Sequence, residues 1–178
     1  MTGVRAGGIS IKRVMAGLGS SAIAAKRIMA GIGGSAVQVW TAFTAMGMSK
    51  SGTQTLTTNS TSSSANTITS WTPLAAYPGT VITDDALVMS ESGNVTITVS
   101  ATISSSGSTS HSRGIHLRID GSNAATDSTT VGSQTSFATT YTGPVTAGQR
   151  IGLAAWVQAT TTGYRNLTAA QIVVAPAG

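Results

Sequence analysis

The chain has 178 residues, carries a net charge of +5, contains no cysteine, and only 8% of its residues are charged. That length suits one ordinary domain with an appendage, and the missing cysteines exclude disulfides and thiolate metal sites. Few charges among many Gly, Ala, Ser and Thr residues exclude a disordered polyelectrolyte and suit packed β-structure or repeated protein–protein contacts.

The charge is unevenly divided. Arg5, Lys12, Arg13, Lys26, Arg27 and Lys50 precede Ser51 without a single acid, a net +6. Beyond it, four arginines meet five acids (Asp84, Asp85, Glu91, Asp120 and Asp127), a net −1. Three regions follow: a basic Gly/Ala-rich repeat arm over 1–49, a Ser/Thr-rich linker or first strand over 50–66, and a β-sandwich head over 67–178. An arm of this kind is expected to dock on an acidic surface, with Arg5, Lys12, Arg13, Lys26 and Arg27 as its contact residues.

Within the arm, Lys12-Arg13-Val14-Met15-Ala16-Gly17-Leu18-Gly19 returns fourteen residues later as Lys26-Arg27-Ile28-Met29-Ala30-Gly31-Ile32-Gly33. So short a unit buries no core alone and must stack on copies or on a partner. The pattern predicts a meander over Ser10–Ala16, Ala22–Ala30 and Ala36–Phe43, turning at GLGSS and GIGGS; an Ala/Gly-rich helix over Ala22–Ala30 is the alternative. Ile28–Met48 is charge-free and long enough to span a bilayer, but its glycines and polar residues make it a poor transmembrane helix. Lys26-Arg27 likewise interrupts the candidate apolar region of a signal peptide.

From Thr67 the pattern is regular. Strands are expected at Thr67–Thr72, Ala86–Met89, Asn94–Ser104, Ile115–Asp120, Thr135–Thr142, Arg150–Gln158 and Leu167–Val174, separated by turn residues at sandwich spacing. The clearest is Asn94–Ser104, where Val95, Ile97, Val99, Ala101 and Ile103 alternate with Thr96, Thr98, Ser100 and Thr102.

No catalytic constellation emerges. Gly17–Ala22 and Gly31–Ala36 fit G-x-G-x-x-A, but a fourteen-residue repeat leaves no room for the strand–helix unit that a dinucleotide needs. His111, His116 and Asp120 are metal-ligand types that nothing in the spacing aligns. There is no G-x-S-x-G elbow, and adjacent Asp84 and Asp85 on a strand would point to opposite faces. Trp71, Tyr77, Tyr141, Trp156 and Tyr164 offer either a sugar platform or packing in a core or subunit interface, the commoner fate. Among these, Trp71, Tyr141, Trp156 and Tyr164 are the candidate surface or interface aromatics. The chain is expected not to be an enzyme and to need no metal or cofactor.

Two resemblances add to this. The turn into Asn94–Ser104, the strand ending at Asp120-Gly121, and TAGQRIGLAAW over Thr146–Trp156 resemble the jelly roll of tumour-necrosis-factor-like and complement-globular-head domains. That resemblance covers Thr67–Val174 and implies a trimer packed about a threefold axis through one sheet face. The opening VRAGGISIKRVMAG, the second KRIMAG and AVQVW, within Met1–Trp40, resemble the N-terminal repeats of minor tail proteins of actinobacterial phages. Together they imply an all-β virion protein, made in the bacterial cytoplasm, docked by its arm and projecting a trimeric jelly-roll head that can reach the host surface. A capsid decoration protein at threefold sites is the alternative, and a carbohydrate-binding adhesion module is the second. The implied partners are copies of the chain, other tail or capsid proteins and a host cell-surface glycan; neither nucleic acid nor membrane is expected.

Overall fold

A computed structural model describes residues 15–18, 21–24, 27–32, 35–41, 43–107 and 109–177. The chain divides into two compact units, Met1–Phe43 and Thr44–Gly178.

In the first unit, β1 (Met15–Leu18) pairs antiparallel with β2 (Ser21–Ala24), Leu18 facing Ser21. A second hairpin joins β3 (Arg27–Ile32) to β4 (Ser35–Thr41), Ile32 facing Ser35, with a bulge between Ile28 and Met29. The expected meander differs from this arrangement: its continuous middle strand, Ala22–Ala30, is divided between β2 and β3, each paired within its own copy.

The second unit opens with β5 (Met46–Lys50), β6 (Gln54–Thr55), a 3-10 turn at Ser62–Ser64, β7 (Asn66–Thr67) and β8 (Trp71–Pro73). It continues with β9 (Ile82–Thr83), β10 (Ala86–Val88), β11 (Gly93–Ile103) and β12 (Arg113–Ile119). The last strands are β13 (Ser122–Thr129), β14 (Ser136–Val145), β15 (Arg150–Val157) and β16 (Asn166–Pro176).

These build two antiparallel sheets. The front sheet runs β14-β11-β16-β5-β8, with β6 also on β16; the back sheet runs β13-β12-β15-β10-β9, with β7 also on β15. From β10 onward the chain passes back, front, back, back, front, back, front. This exchange of strands between two packed sheets is a jelly roll.

The core lies between the sheets because the inward positions of each strand are branched and apolar. Val95, Ile97, Val99 and Ile103 of β11 meet Ile115 and Leu117 of β12, Ile151, Leu153 and Val157 of β15, and Leu167, Ile172 and Val174 of β16, all at most 1% exposed. Each such side chain contributes about 1.5–3 kcal/mol by leaving water.

Four stretches bear on the sequence reading. Met46–Ser49, read as the end of the arm, and Lys50, read as the start of the next stretch, together form β5, and buried Met46 and Met48 seat it beside β16. Of the two readings of 50–66, linker or first strand, the strand alternative fits in part, since this stretch supplies the short strands β6 and β7 on β16 and β15. Thr67–Thr72 is not one strand: Ser70 takes a left-handed φ of 64°, and the chain leaves the back sheet at β7 to join the front sheet at β8. Finally, β13 lies between Gly121 and Thr135, where the sequence pattern announces no strand. SNAATDST has no apolar alternation because an edge strand buries little, and none of its residues is buried.

Candidate functional site

Two surface features stand out on the sandwich. The first is the outer face of the front sheet. Period two sends Thr96, Thr98, Ser100 and Thr102 of β11 outward, and the register aligns them with Thr142, Thr140, Ala138 and Ser136 of β14. On the other side they meet Ala175, Val173, Gln171 and Ala169 of β16, and β5 adds Gly47 and Ser49. None of these fourteen outward positions is charged. A groove of about 620 Å³ runs along one end, with Lys50 and Asp127 among its lining residues. Lys50 donates to the Thr69 carbonyl at 3.1 Å, and burial pushes its ammonium below the usual value, with Asp85 acting in the opposite direction. Asp127 accepts from the Ala138 amide at 2.8 Å.

At the β5 margin, Tyr77 lies directly over Gly47: a Cβ there would stand 2.6 Å from the ring. Glycine is therefore required for the 74–80 loop to close on this edge. Thr80 Oγ1 accepts from the Gly47 amide at 3.0 Å and donates to the Tyr77 carbonyl at 2.8 Å, locking the loop.

The second feature is a pocket of about 400 Å³ on the outside of the back sheet, lined by Asp84, Asp85, Asp120, Arg118 and Arg150 over a floor that includes Ala86 and Gly152. Arg150 organises its rim. The guanidinium contacts Asp84 Oδ2 at 3.1 Å and donates to the carbonyls of Thr83 at 2.8 Å and Asp84 at 2.9 Å. Its backbone amide donates to Asp120 Oδ1 at 2.8 Å, and Asp85 accepts from the Ser70 amide at 3.0 Å. The three acids sit at tight turns with φ of 44°, 59° and 49° for Asp84, Asp85 and Asp120, a conformation that Asp tolerates better than most residues. Among the described residues, no three His, Asp or Glu side chains converge as a metal site requires.

The residues singled out from sequence scatter. Trp71 is 8% exposed, and its indole Nε1 donates to the Ile68 carbonyl at 2.8 Å; Trp156 is 2% exposed. Both are packing residues. Tyr141 is half-buried on β14 and donates to the Pro144 carbonyl at 3.1 Å, while half-buried Tyr164 lies 6.0 Å from the His111 ring. His111 and His116 are not brought together: His116 stacks instead on Trp156, 4.5 Å between centroids. Of the arm residues, Arg27 begins β3, whereas Arg5, Lys12, Arg13 and Lys26 lie outside the described residues.

Sequence reasoning missed two buried arginines. Arg113 is fully buried and donates to the carbonyls of Ser104 at 2.8 Å and Gln134 at 3.3 Å; among the described residues its Nε and Nη2 meet no hydrogen-bond partner, and desolvation pushes its pKa down. Arg165 donates to the carbonyl of Leu56 and, at 3.2 Å, to Thr162 Oγ1. A signal for Arg113 existed: it is in phase with inward-facing Ile115 and Leu117. Its charge masked that phase.

No family model matches the chain, and no curated protein matches it. Among solved structures it is similar to Eiger TNF from S. frugiperda, with 14% identity and a TM-score of 0.49 over 77% of this chain and 96% of that one. The strand order above carries the fold assignment independently. Among the described residues, no helix is long and apolar enough to cross a membrane.

Proposed function

We propose that this chain is a structural component of a phage virion, a minor tail protein whose basic N-terminal unit docks on the particle while the jelly roll self-associates and projects outward. The observation that carries this reading is the uncharged outer face of the front sheet. Four neighbouring strands present Thr, Ser, Ala, Val and Gln there, uncharged side chains that let another sheet approach at low desolvation cost, while Gly47 at the margin is covered by Tyr77. A face left to water ordinarily carries charges, and the opposite sheet carries Arg118, Arg150 and three aspartates around its pocket. The front face supports self-association, and a trimer about a threefold axis is the form implied by the resemblance to tumour-necrosis-factor-like and complement-globular-head domains.

The arm reading rests on the repeat and on charge: five cations and no acid lie in Met1–Phe43, a distribution suited to an acidic neighbour. Light scattering of the full chain tests the head, with three times the 17.8 kDa chain mass expected. A concentration-independent monomer would overturn that part. Deleting Met1–Phe43 tests the arm: incorporation into particles should be lost while the sandwich stays folded.

A further inference from the structure

Between two buried anchors, Leu56 and Ile68, the chain crosses the outside of the back sheet as a strap over residues 57–66. Ser60 is its only buried residue, and the strap carries no titratable side chain. It is attached through polar groups: the Asn59 amide donates to the Ala159 carbonyl at 3.0 Å, the Val157 amide donates to Ser60 Oγ at 3.0 Å, and Asn66 pairs with Ala155.

His116 lies beneath it at 3% exposure. Its Nε2 is 2.9 Å from Ser62 Oγ and 3.2 Å from the Ser62 carbonyl, its Nδ1 is 2.8 Å from Thr126 Oγ1, and its ring stacks on Trp156 at 4.5 Å. The neutral ring satisfies both nitrogens by donating through one and accepting through the other.

We propose that residues 57–66 form a proton-operated latch, in which charging His116 releases the strap and uncovers the Trp156 side of the back sheet. The surroundings favour a neutral ring. The strap offers only hydroxyls and carbonyls, β13 offers Thr126, β15 offers Trp156, and β12 itself adds a cation, Arg118, two residues away. No carboxylate hydrogen-bonds to the imidazole, so an imidazolium would be buried without a counter-charge. The indole face returns only part of that cost.

Burial pushes His116 below its ordinary 6.5; the Ser62 backbone bond opposes this, and Arg118 adds to it. Because the closed-strap value is depressed, closure is favoured fully above about 6.5 and weakens as pH falls through that value toward the closed-strap one. The strap is the element that yields, since β12 is paired on both sides, β15 is paired with β12 along Ile151–Val157, and both pack on the core, whereas the strap is held mainly by hydrogen bonds that it can exchange for water.

The test follows the His116 imidazole by NMR together with hydrogen exchange of the 57–66 amides in the full chain, corrected for intrinsic rates, from about pH 7.5 to 5. Opening should rise about tenfold per pH unit below about 6.5, levelling at the closed-strap value, while core amides of β11 stay protected. His116→Gln should remove that dependence and keep strap protection at neutral pH. Strap exchange independent of pH, or the same pH dependence in the Gln variant, would overturn the proposal. The wild-type titration is decisive without the variant: a closed-state His116 that charges at or above about 6.5 contradicts the latch.

Discussion

Gly114 on β12 and Trp156 on β15 are cross-strand partners, and the indole occupies the space that a side chain at 114 would fill: a Cβ there would lie 2.5 Å from the ring, and as close to the Asp127 carbonyl oxygen. The contact is built from both ends. The absent side chain lets the indole lie flat on β12, and the indole in turn gives His116 its stacking face. Gly114→Ala should therefore lower unfolding stability by about 1–3 kcal/mol, the cost of overpacking. Denaturant unfolding measures it, and an unchanged midpoint would mean that the indole moves aside freely.

Arg150 and Asp84 form an exposed ion pair, with side chains 41% and 77% accessible. Solvent screening makes such a pair worth little, so Asp84→Asn should change stability by no more than about 0.5 kcal/mol. Arg150→Ala also removes the bonds to the Thr83 and Asp84 carbonyls. It should cost more, about 1 kcal/mol, and thermal unfolding of the two variants reads the order.

Arg113 ties the Ser104 and Gln134 carbonyls together from inside the sandwich. Truncation to Ala leaves a cavity and two carbonyls without their donor, an expected loss of about 3 kcal/mol. Arg113→Met fills much of the volume without burying a charge and should lose less than Ala. Comparing the two by chemical denaturation separates the volume contribution from the hydrogen bonds.

Thr98 is exposed at the centre of the front face, beside Thr140 and Val173. Thr98→Arg should leave the isolated sandwich as stable as before, within about 0.5 kcal/mol for an exposed site. If the face is a subunit contact, the same change buries an unpaired charge in it and shifts the chain to monomer in sedimentation. An oligomer indifferent to this substitution would move the contact elsewhere.

Much of the sandwich could be read from parity alone. Val95, Ile97 and Val99 announce an inward face because branched apolar residues at period two have one arrangement that buries them all. Met46 and Met48 follow the same rule, but a charge division drawn at Ser51 hid them behind Lys50. The edge strand Ser122–Thr129 had nothing to announce, since its backbone pairs with β12 while its side chains stay at least partly in water. His116 shows the other boundary of sequence reasoning. Parity places it outward, correctly, yet it is buried by a strap whose only mark in the sequence is a Ser/Thr-rich stretch with no apolar phase. The uncharged front face was visible as Thr96, Thr98, Ser100 and Thr102, but its continuation across β14 and β16 depends on register, which pairing sets.

The most direct test of the virion assignment is antibody-gold labelling of intact phage particles, with the label counted and located by electron microscopy. Label confined to the tail is the expected result. Hundreds of labels over the head would make this a capsid decoration protein, and particles without label would contradict the virion assignment altogether.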